Sequence, residues 1–106
     1  MPAYVVAQMK VHDAEKLREY ARLAPPYVAK HGGRYLTRGG DLTCLEDTSC
    51  TSRVVVSVWP DKAAAEAFFA DPDYLKVAEL RKAASTMEML IVQDGIEYTD
   101  APDPGV

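Results

Sequence analysis

The sequence predicts one α+β domain in which a four-stranded antiparallel sheet carries two helices on one face. Three observations predict this fold: a length of 106 residues, a hydrophobic content of 48%, and segments in the order strand, helix, strand, strand, helix, strand. The length leaves no room for a second domain. Two strand–helix–strand units joined by a hairpin, with right-handed crossovers, give a ferredoxin-like sandwich. We expect the domain to span residues 1–96 and residues 97–106 to form a loose tail.

In most of the predicted strands, successive residues alternate between an apolar face and a mixed face. One strand is expected to continue in extended form after a turn at glycine. The strands cover residues 3–11, 34–37 continuing over 42–46 beyond Gly39-Gly40, 53–59, and 86–93. In the last strand both rows are almost equally apolar, so the pattern does not indicate which row faces inward.

Each predicted helix has a starting signal and an internal break. Asp13 is placed to cap the first helix, the pair Pro25-Pro26 interrupts it, and Gly32-Gly33 ends it. Asp61 caps a helix that runs through Ala70, and Asp71-Pro72 starts a further segment over residues 73–84.

Two helices can cover only one face of such a sheet. We expect the covered rows to be the uniformly apolar ones, Val5-Ala7-Met9-Val11 and Val54-Val56-Val58. The open face is expected to show Tyr4, Val6, Val55, Trp59 and one row of the last strand. Each such side chain that stays in water loses about 1.5–3 kcal/mol of the free energy that its burial would contribute to folding. This favours a homodimer in which two open sheet faces stack, over a monomer whose sheet has one face exposed to solvent.

Charge and missing motifs exclude several function classes. Twelve Lys and Arg against sixteen Asp and Glu give a net charge of −4 without a basic cluster, so we expect no nucleic-acid partner. No apolar run could span a bilayer, and the start of the sequence lacks the basic region of a secretion signal, so we expect no membrane partner and a cytoplasmic protein. Cys44 and Cys50 are then expected to be free thiols. Phosphate-binding loops, metal-ligand pairs and a nucleophile elbow are missing, so no cofactor or metal is predicted.

His31 is the candidate general base, since an imidazole titrates near neutral pH. Its position in the last helical turn before Gly32-Gly33 has a simpler explanation, because His and Lys there oppose the helix dipole. Arg38 is the second candidate catalytic residue, because it precedes two glycines where backbone can approach a ligand closely.

A pocket between helices and sheet is expected to supply substrate-binding residues. Arginine suits a carboxylate or a developing enolate, and buried tyrosines need polar partners that orient a ligand. The candidate substrate-binding residues are Tyr20, Arg34, Trp59, Tyr74 and Arg81. Arg53 is a further guanidinium that the strands could bring near the others.

These residues favour a small homodimeric enzyme without a cofactor, acting by proton transfer, isomerisation or oxygenation on a small aromatic or carbonyl compound. The alternatives are a non-catalytic binding or sensing module with the same pocket, and a structural protein whose essential surface is the dimer face.

One set of residues and motifs is distributed over almost the whole chain: Tyr20, Leu23-Ala24-Pro25, HGGRYL at 31–36, Arg38-Gly39-Gly40, Leu45-Glu46, Trp59-Pro60, Ala64, Ala67-Phe68-Phe69, Tyr74 and Arg81. Through this set the sequence resembles the domain-of-unknown-function 1330 family over residues 3–94. The resemblance implies the ferredoxin-like fold and the dimeric alpha-beta barrel superfamily, but no activity. The chain departs from the family pattern after Glu46, where Asp47 replaces a common glycine.

Overall fold

The computed structural model describes residues 1–46 and 52–95, and it has the predicted order of elements. The strands are β1 (Ala3–Val11), β2 (Arg34–Thr37), β3 (Arg53–Trp59) and β4 (Ser85–Asp94). The helices are α1 (Ala14–Leu23), α2 (Pro25–Lys30), α3 (Lys62–Ala70) and α4 (Pro72–Ala84). The expected tail after residue 96 lies outside the described residues.

Side-chain caps start three of the four helices. Asp13 accepts a hydrogen bond from the Lys16 amide at 3.1 Å, and Asp61 accepts one from the Ala64 amide at 2.7 Å. Asp71 caps α4 through the Asp73 amide at 2.9 Å. Each carboxylate satisfies an amide that has no partner inside its helix and opposes the positive end of the helix dipole.

The glycine pair after α2 has two separate tasks. Gly32 adopts φ 80°, and the Gly33 amide donates to the Val28 carbonyl at 2.9 Å, which closes the helix in a Schellman motif. At Gly33 a Cβ atom would lie 2.6 Å from the Trp59 ring. The missing side chain therefore makes room for the indole in the core.

The sheet has the strand order β2-β3-β1-β4, and every pairing is antiparallel. β1 and β3 are the central strands. β1 aligns Val6 with Val56 of β3 and with Ile91 of β4. A register shift between Gln8 and Met9 marks a bulge against β4.

The register corrects the predicted facing of β3. Ala3, Ala7 and Val5 lie under the helices, and they pair with Trp59, Val55 and Ser57 respectively. Paired residues share a face, so this row of β3 faces the helices, and Trp59 is only 2% exposed. The prediction that Val55 and Trp59 lie on the open face, and the Val54-Val56-Val58 row under the helices, is wrong. Both rows of β3 are apolar, so alternation alone could not distinguish them.

The open face of the sheet is still apolar, although its membership differs from the prediction. It carries Tyr4 and Val6 from β1, Val54, Val56 and Val58 from β3, and Met89 and Ile91 from β4. Tyr4, Met89 and Ile91 are among the exposed large hydrophobic residues.

An aromatic cluster forms the main core between α3, α4 and the sheet. The Phe68 ring centroid lies 3.9 Å from that of Tyr74 and 4.9 Å from those of Trp59 and Phe69. Val5 and Val28 belong to the same cluster of buried residues. A smaller cluster around Met9, Leu17 and Ala84 closes the other end.

Two further expectations for the segment after β2 are corrected. Residues 42–46 form no strand, and the two glycines before them, at 39 and 40, have φ 109° and 126°, which interrupts the extended backbone after β2. Cys44 is disulfide-bonded, not a free thiol. That expectation came from a presumed reducing compartment and not from geometry. Cys50 lies outside the described residues.

The helices do not have the form of membrane spans. Within residues 1–46 and 52–95, none is long and apolar enough to cross a bilayer.

Candidate functional site

A cavity of about 80 Å³ lies between the helices and the inner face of the sheet. One water requires about 10–15 Å³ by this measure, so the space is several times larger than a cavity for a single water. Most of its lining is apolar, including Val5, Leu17, Val28 and Phe68. The polar members of the lining are Tyr20, Tyr35, Arg38, Arg53, Ser57, Tyr74 and Arg81. Mostly apolar walls with a few polar groups are typical of small-molecule sites.

Two tyrosines on facing helices form a hydrogen-bonded pair in this cavity. The Tyr20 hydroxyl on α1 lies 2.7 Å from the Tyr74 hydroxyl on α4. Burial raises the pKa of Tyr20, and the neighbouring Tyr74 raises it further. Tyr20 therefore stays a neutral phenol at all physiological pH values. One hydroxyl donates to the other, so the proton of the accepting hydroxyl is available to a ligand oxygen.

Three arginines reach the same cavity from different elements. Arg81 of α4 is 9% exposed, and its Cζ lies 6.0 Å from the centre of the Tyr20 ring. Arg38 follows β2, and its Cζ lies 4.8 Å from the centre of the Tyr35 ring. Arg53 is the first residue of β3.

Among the described residues, the cavity has positive charge without an acidic counterpart. The lining formed by residues 1–46 and 52–95 includes no Asp or Glu. Within residues 1–46 and 52–95, none of these three guanidinium groups lies within 4.0 Å of a carboxylate. A low-dielectric pocket lined by one sign of charge concentrates ligands of the opposite sign. The arrangement therefore suits a small, mostly apolar molecule with an anionic oxygen.

Tyr35 and Trp59 complete the walls. Burial raises the pKa of Tyr35, with the nearby Arg38 acting in the opposite direction. The Trp59 indole donates to the Ser57 hydroxyl at 2.9 Å, which satisfies its polar group inside the core. Because Trp59 is the only tryptophan of the chain, its fluorescence reports directly on this cavity.

The structure brings five of the seven predicted site residues together at the cavity: Tyr20, Arg38, Trp59, Tyr74 and Arg81. Arg34 pairs with Val58 and is exposed on the open sheet face. His31 is not part of the cavity lining. Its Nε2 lies 2.8 Å from Asp71 Oδ2, and its ring stands edge-on to Phe68. The functional roles of all seven residues stay predictions.

Arg53, Ser57 and Tyr35 were not among the predicted site residues, although they line the cavity. For Arg53 and Ser57 a signal was present in the sequence. Arg53, Ser57 and Trp59 occupy alternate positions of one strand, so the choice of Trp59 as a pocket residue implied the other two.

Asp71 ties the end of α2 to the start of α4. Its side chain is 5% exposed and accepts from His31 Nε2 and from Lys30 Nζ, the latter at 2.9 Å, as well as from the Asp73 amide. Hydrogen bonds from His31 and then Lys30 hold the pKa of Asp71 well below its usual value. The carboxylate therefore favours the folded state in its charged form.

We expect Asp71→Asn to lower the thermal unfolding midpoint at neutral pH by about 5 °C or more, because the amide keeps the helix cap but loses its charge. Because the pKa of Asp71 is lower in the folded state, its charged carboxylate stabilises the fold at pH values above the unfolded pKa of 3.8. This stabilisation is lost as the pH falls through the folded-state pKa. The difference between wild type and variant should therefore shrink below about pH 4. The matched control is Asp61→Asn, an exposed cap, which should unfold like wild type. A pH-independent difference would contradict this account.

Comparison with family models decides the classification. The model of the domain of unknown function named DUF1330 matches residues 2–95. The chain belongs to this family. Curated proteins provide no match to the sequence.

Solved structures share the fold of this DUF1330 protein. A protein of unknown function from Rhodopseudomonas palustris has 20% sequence identity and a TM-score of 0.74, over 92% of this chain and 84% of that one. SnoaB, a cofactor-independent oxygenase from Streptomyces nogalater, has 20% identity and a TM-score of 0.66, over 94% and 98%. A dimeric ferredoxin-like protein of unknown function from a Jannaschia species has 12% identity and a TM-score of 0.68, over 90% and 100%. At these identities the likeness establishes the ferredoxin-like fold alone.

Proposed function

We propose that the protein is a small homodimeric enzyme, working without a bound cofactor, on an aromatic or carbonyl compound that reacts as its phenolate or enolate. The observation that carries this proposal is the composition of the cavity. Three arginines and a hydrogen-bonded tyrosine pair meet in its lining, and none of the described lining residues is a carboxylate.

Such a cavity acts on the acidity of its ligand. A nearby guanidinium favours the charged form of a phenol or enol and lowers its pKa, whereas burial without a cation would raise it. Arg81 is the most enclosed of the three cations. Fixed donors that face the developing negative oxygen stabilise the anion without reorganisation during the reaction. In the proposed reaction Arg81 and the free proton of the tyrosine pair would hold that oxygen.

An electron-rich phenolate or enolate can undergo proton transfer, isomerisation or reaction with dioxygen at carbon. Oxygenation by this route agrees with the description of SnoaB as a cofactor-independent oxygenase, at the level of a shared fold. Arg38 would polarise the same ligand from the cavity rim. The role of His31 as the base stays a prediction, because His31 is not part of the described cavity lining and its Nε2 contacts Asp71.

A non-catalytic binding module is the second candidate, and one observation favours it. The described lining contains neither an imidazole nor a carboxylate, so it offers no group with an ordinary pKa near neutrality to take a proton. Incubation with phenolic and enolisable compounds in air separates the two candidates. Oxygen uptake or a rearranged product supports an enzyme, whereas a ligand that stabilises the protein and is recovered unchanged supports the binding module.

We expect para-nitrophenol to bind in the cavity with a lowered pKa, seen as growth of the absorbance of its yellow anion and as quenching of Trp59 fluorescence. Arg81→Met keeps the length of the side chain but removes its charge. This variant should bind the anion about ten-fold to a hundred-fold more weakly and restore the ordinary pKa of the probe. Arg18→Met, at an exposed position of α1 outside the cavity, is the control. A bound probe whose pKa rises, or is equally lowered in both variants, would refute the proposed function.

The homodimer is proposed to form through the open face of the sheet. In the monomer seven apolar side chains of β1, β3 and β4 lie on this face without a helix over them. A second copy covers them with an identical surface, as expected of a two-fold interface. The dimeric description of the structural neighbour from Jannaschia supports this assembly. Sedimentation equilibrium should give twice the chain mass of 11.7 kDa.

A further inference from the structure

We propose that the ligand also carries a carboxylate, at the end away from its phenolic or enolic oxygen, and that Arg38 and Arg53 bind this group at the mouth of the cavity. This inference rests on the proposed function of the same cavity, and it narrows the substrate class to aromatic or enolic acids.

The three cavity arginines differ in depth. Arg81 is 9% exposed, whereas Arg38 and Arg53 both line the cavity and are exposed to solvent. Residues that are exposed and also line a cavity define its opening. The positive charge is therefore divided between one inner site and a pair at the mouth. A single phenolate can occupy only the inner site.

Backbone carbonyls hold the two outer arginines across the opening. Arg38 Nη2 donates to the Ala21 carbonyl of α1, and Arg53 Nη2 donates to the Arg38 carbonyl at 2.6 Å. Ala21 lies in the same cavity lining. The side chains therefore connect the sheet to α1 at this edge. A guanidinium has five N–H donors, and in the described part of the chain each of these two donates to one carbonyl. Donors remain for a carboxylate, which guanidinium binds in a bidentate geometry.

Gly39 makes room for the Arg53 side chain. A Cβ atom at Gly39 would lie 2.9 Å from Arg53 Nε, and the backbone there has φ 109°. The turn alone would explain the positive φ, but it does not require an arginine against the glycine. The same short segment thus provides one arginine and the space for the other.

Among the described residues the outer pair also lacks an acidic partner. Within residues 1–46 and 52–95, no carboxylate lies within 4.0 Å of either guanidinium. Arg38 lies over the Tyr35 ring, which is an apolar and partly buried surface. A flat aromatic acid would contact Tyr35 with its ring edge while its carboxylate reached the arginine pair.

The test compares two probes of the same shape and different charge, para-hydroxybenzoate and para-hydroxybenzamide, with Trp59 quenching as the readout. Wild type should bind the carboxylate about ten-fold more tightly than the amide. The double substitution Arg38→Gln/Arg53→Gln should bring this ratio close to one, because it weakens binding of the carboxylate much more than binding of the amide. Arg18→Gln is the matched control and should keep the wild-type ratio. Thermal melts check that each variant is folded.

The salt dependence of probe binding to the wild-type protein is a second test that needs no substitution. Raising ionic strength should weaken binding of the carboxylate more than that of the amide, because its additional ion pair lies at the solvent-exposed mouth. Equal affinities of wild type for the two probes, or a ratio that survives the double substitution, would overturn the carboxylate assignment but not the cavity's function. Binding of neither probe would overturn both.

Discussion

Phe68→Ala is expected to destabilise the fold by about 3–5 kcal/mol, as for other fully buried aromatic side chains. Phe68 is 3% exposed and contacts the rings of Trp59, Phe69 and Tyr74. Its removal therefore leaves a cavity at the centre of the aromatic cluster. The loss is a large share of the roughly 5–15 kcal/mol that stabilises a domain. Urea denaturation followed by Trp59 fluorescence measures it directly.

Phe69→Ala provides a matched comparison, since it removes the same atoms from the next position of α3. Phe69 is only partly buried, so its loss should be about half as large. Losses of similar size at both positions would contradict the description of Phe68 as the central residue. An unchanged denaturant slope in both variants would show that the comparison reflects native packing.

Val56→Lys should raise the dimer dissociation constant by at least about a hundred-fold, because it places a charge in the middle of the proposed interface. Val56 belongs to one central strand and pairs with Val6 of the other. Two-fold symmetry would bring two such lysines close together. Sedimentation at several concentrations should show a dimer for wild type and a monomer for the variant.

Ala83→Lys is the control for added charge, since it lies exposed in the last turn of α4, where a cation is favourable. It should remain dimeric. Circular dichroism checks that Val56→Lys keeps its sheet. A folded variant that still sediments as a dimer would exclude the open face as the interface, and the aggregation of both lysine variants would also count against it.

The local signals in the sequence determined the helices and the residues at which they start. Asp13, Asp61 and Asp71 all cap helices as predicted, and the break at Pro25 separates α1 from α2. Such features are predictable because a cap or a proline acts on its immediate neighbours in the chain.

The sequence predicted the types of residue at the candidate site, but only some of the individual residues that line the cavity. Tyr20, Tyr74 and Arg81 were identified because buried tyrosines and arginines can orient a ligand in a pocket, and all three line the cavity. His31 was selected by its chemistry alone. The structure places its ring against Asp71, which is 40 residues away in the chain. No local pattern indicates such a contact.

The sequence by itself determined the order of strands and helices, their caps and the presence of an apolar sheet face without a helix. Only the tertiary structure decided that Trp59 lies under the helices and Val56 on the open face. The reason is physical: both rows of β3 are hydrophobic, so alternation leaves two nearly equal solutions. The choice is made by register against β1 and by the fit of the indole over Gly33. The same fit places Ser57 and Arg53 in the cavity and so sets its charge.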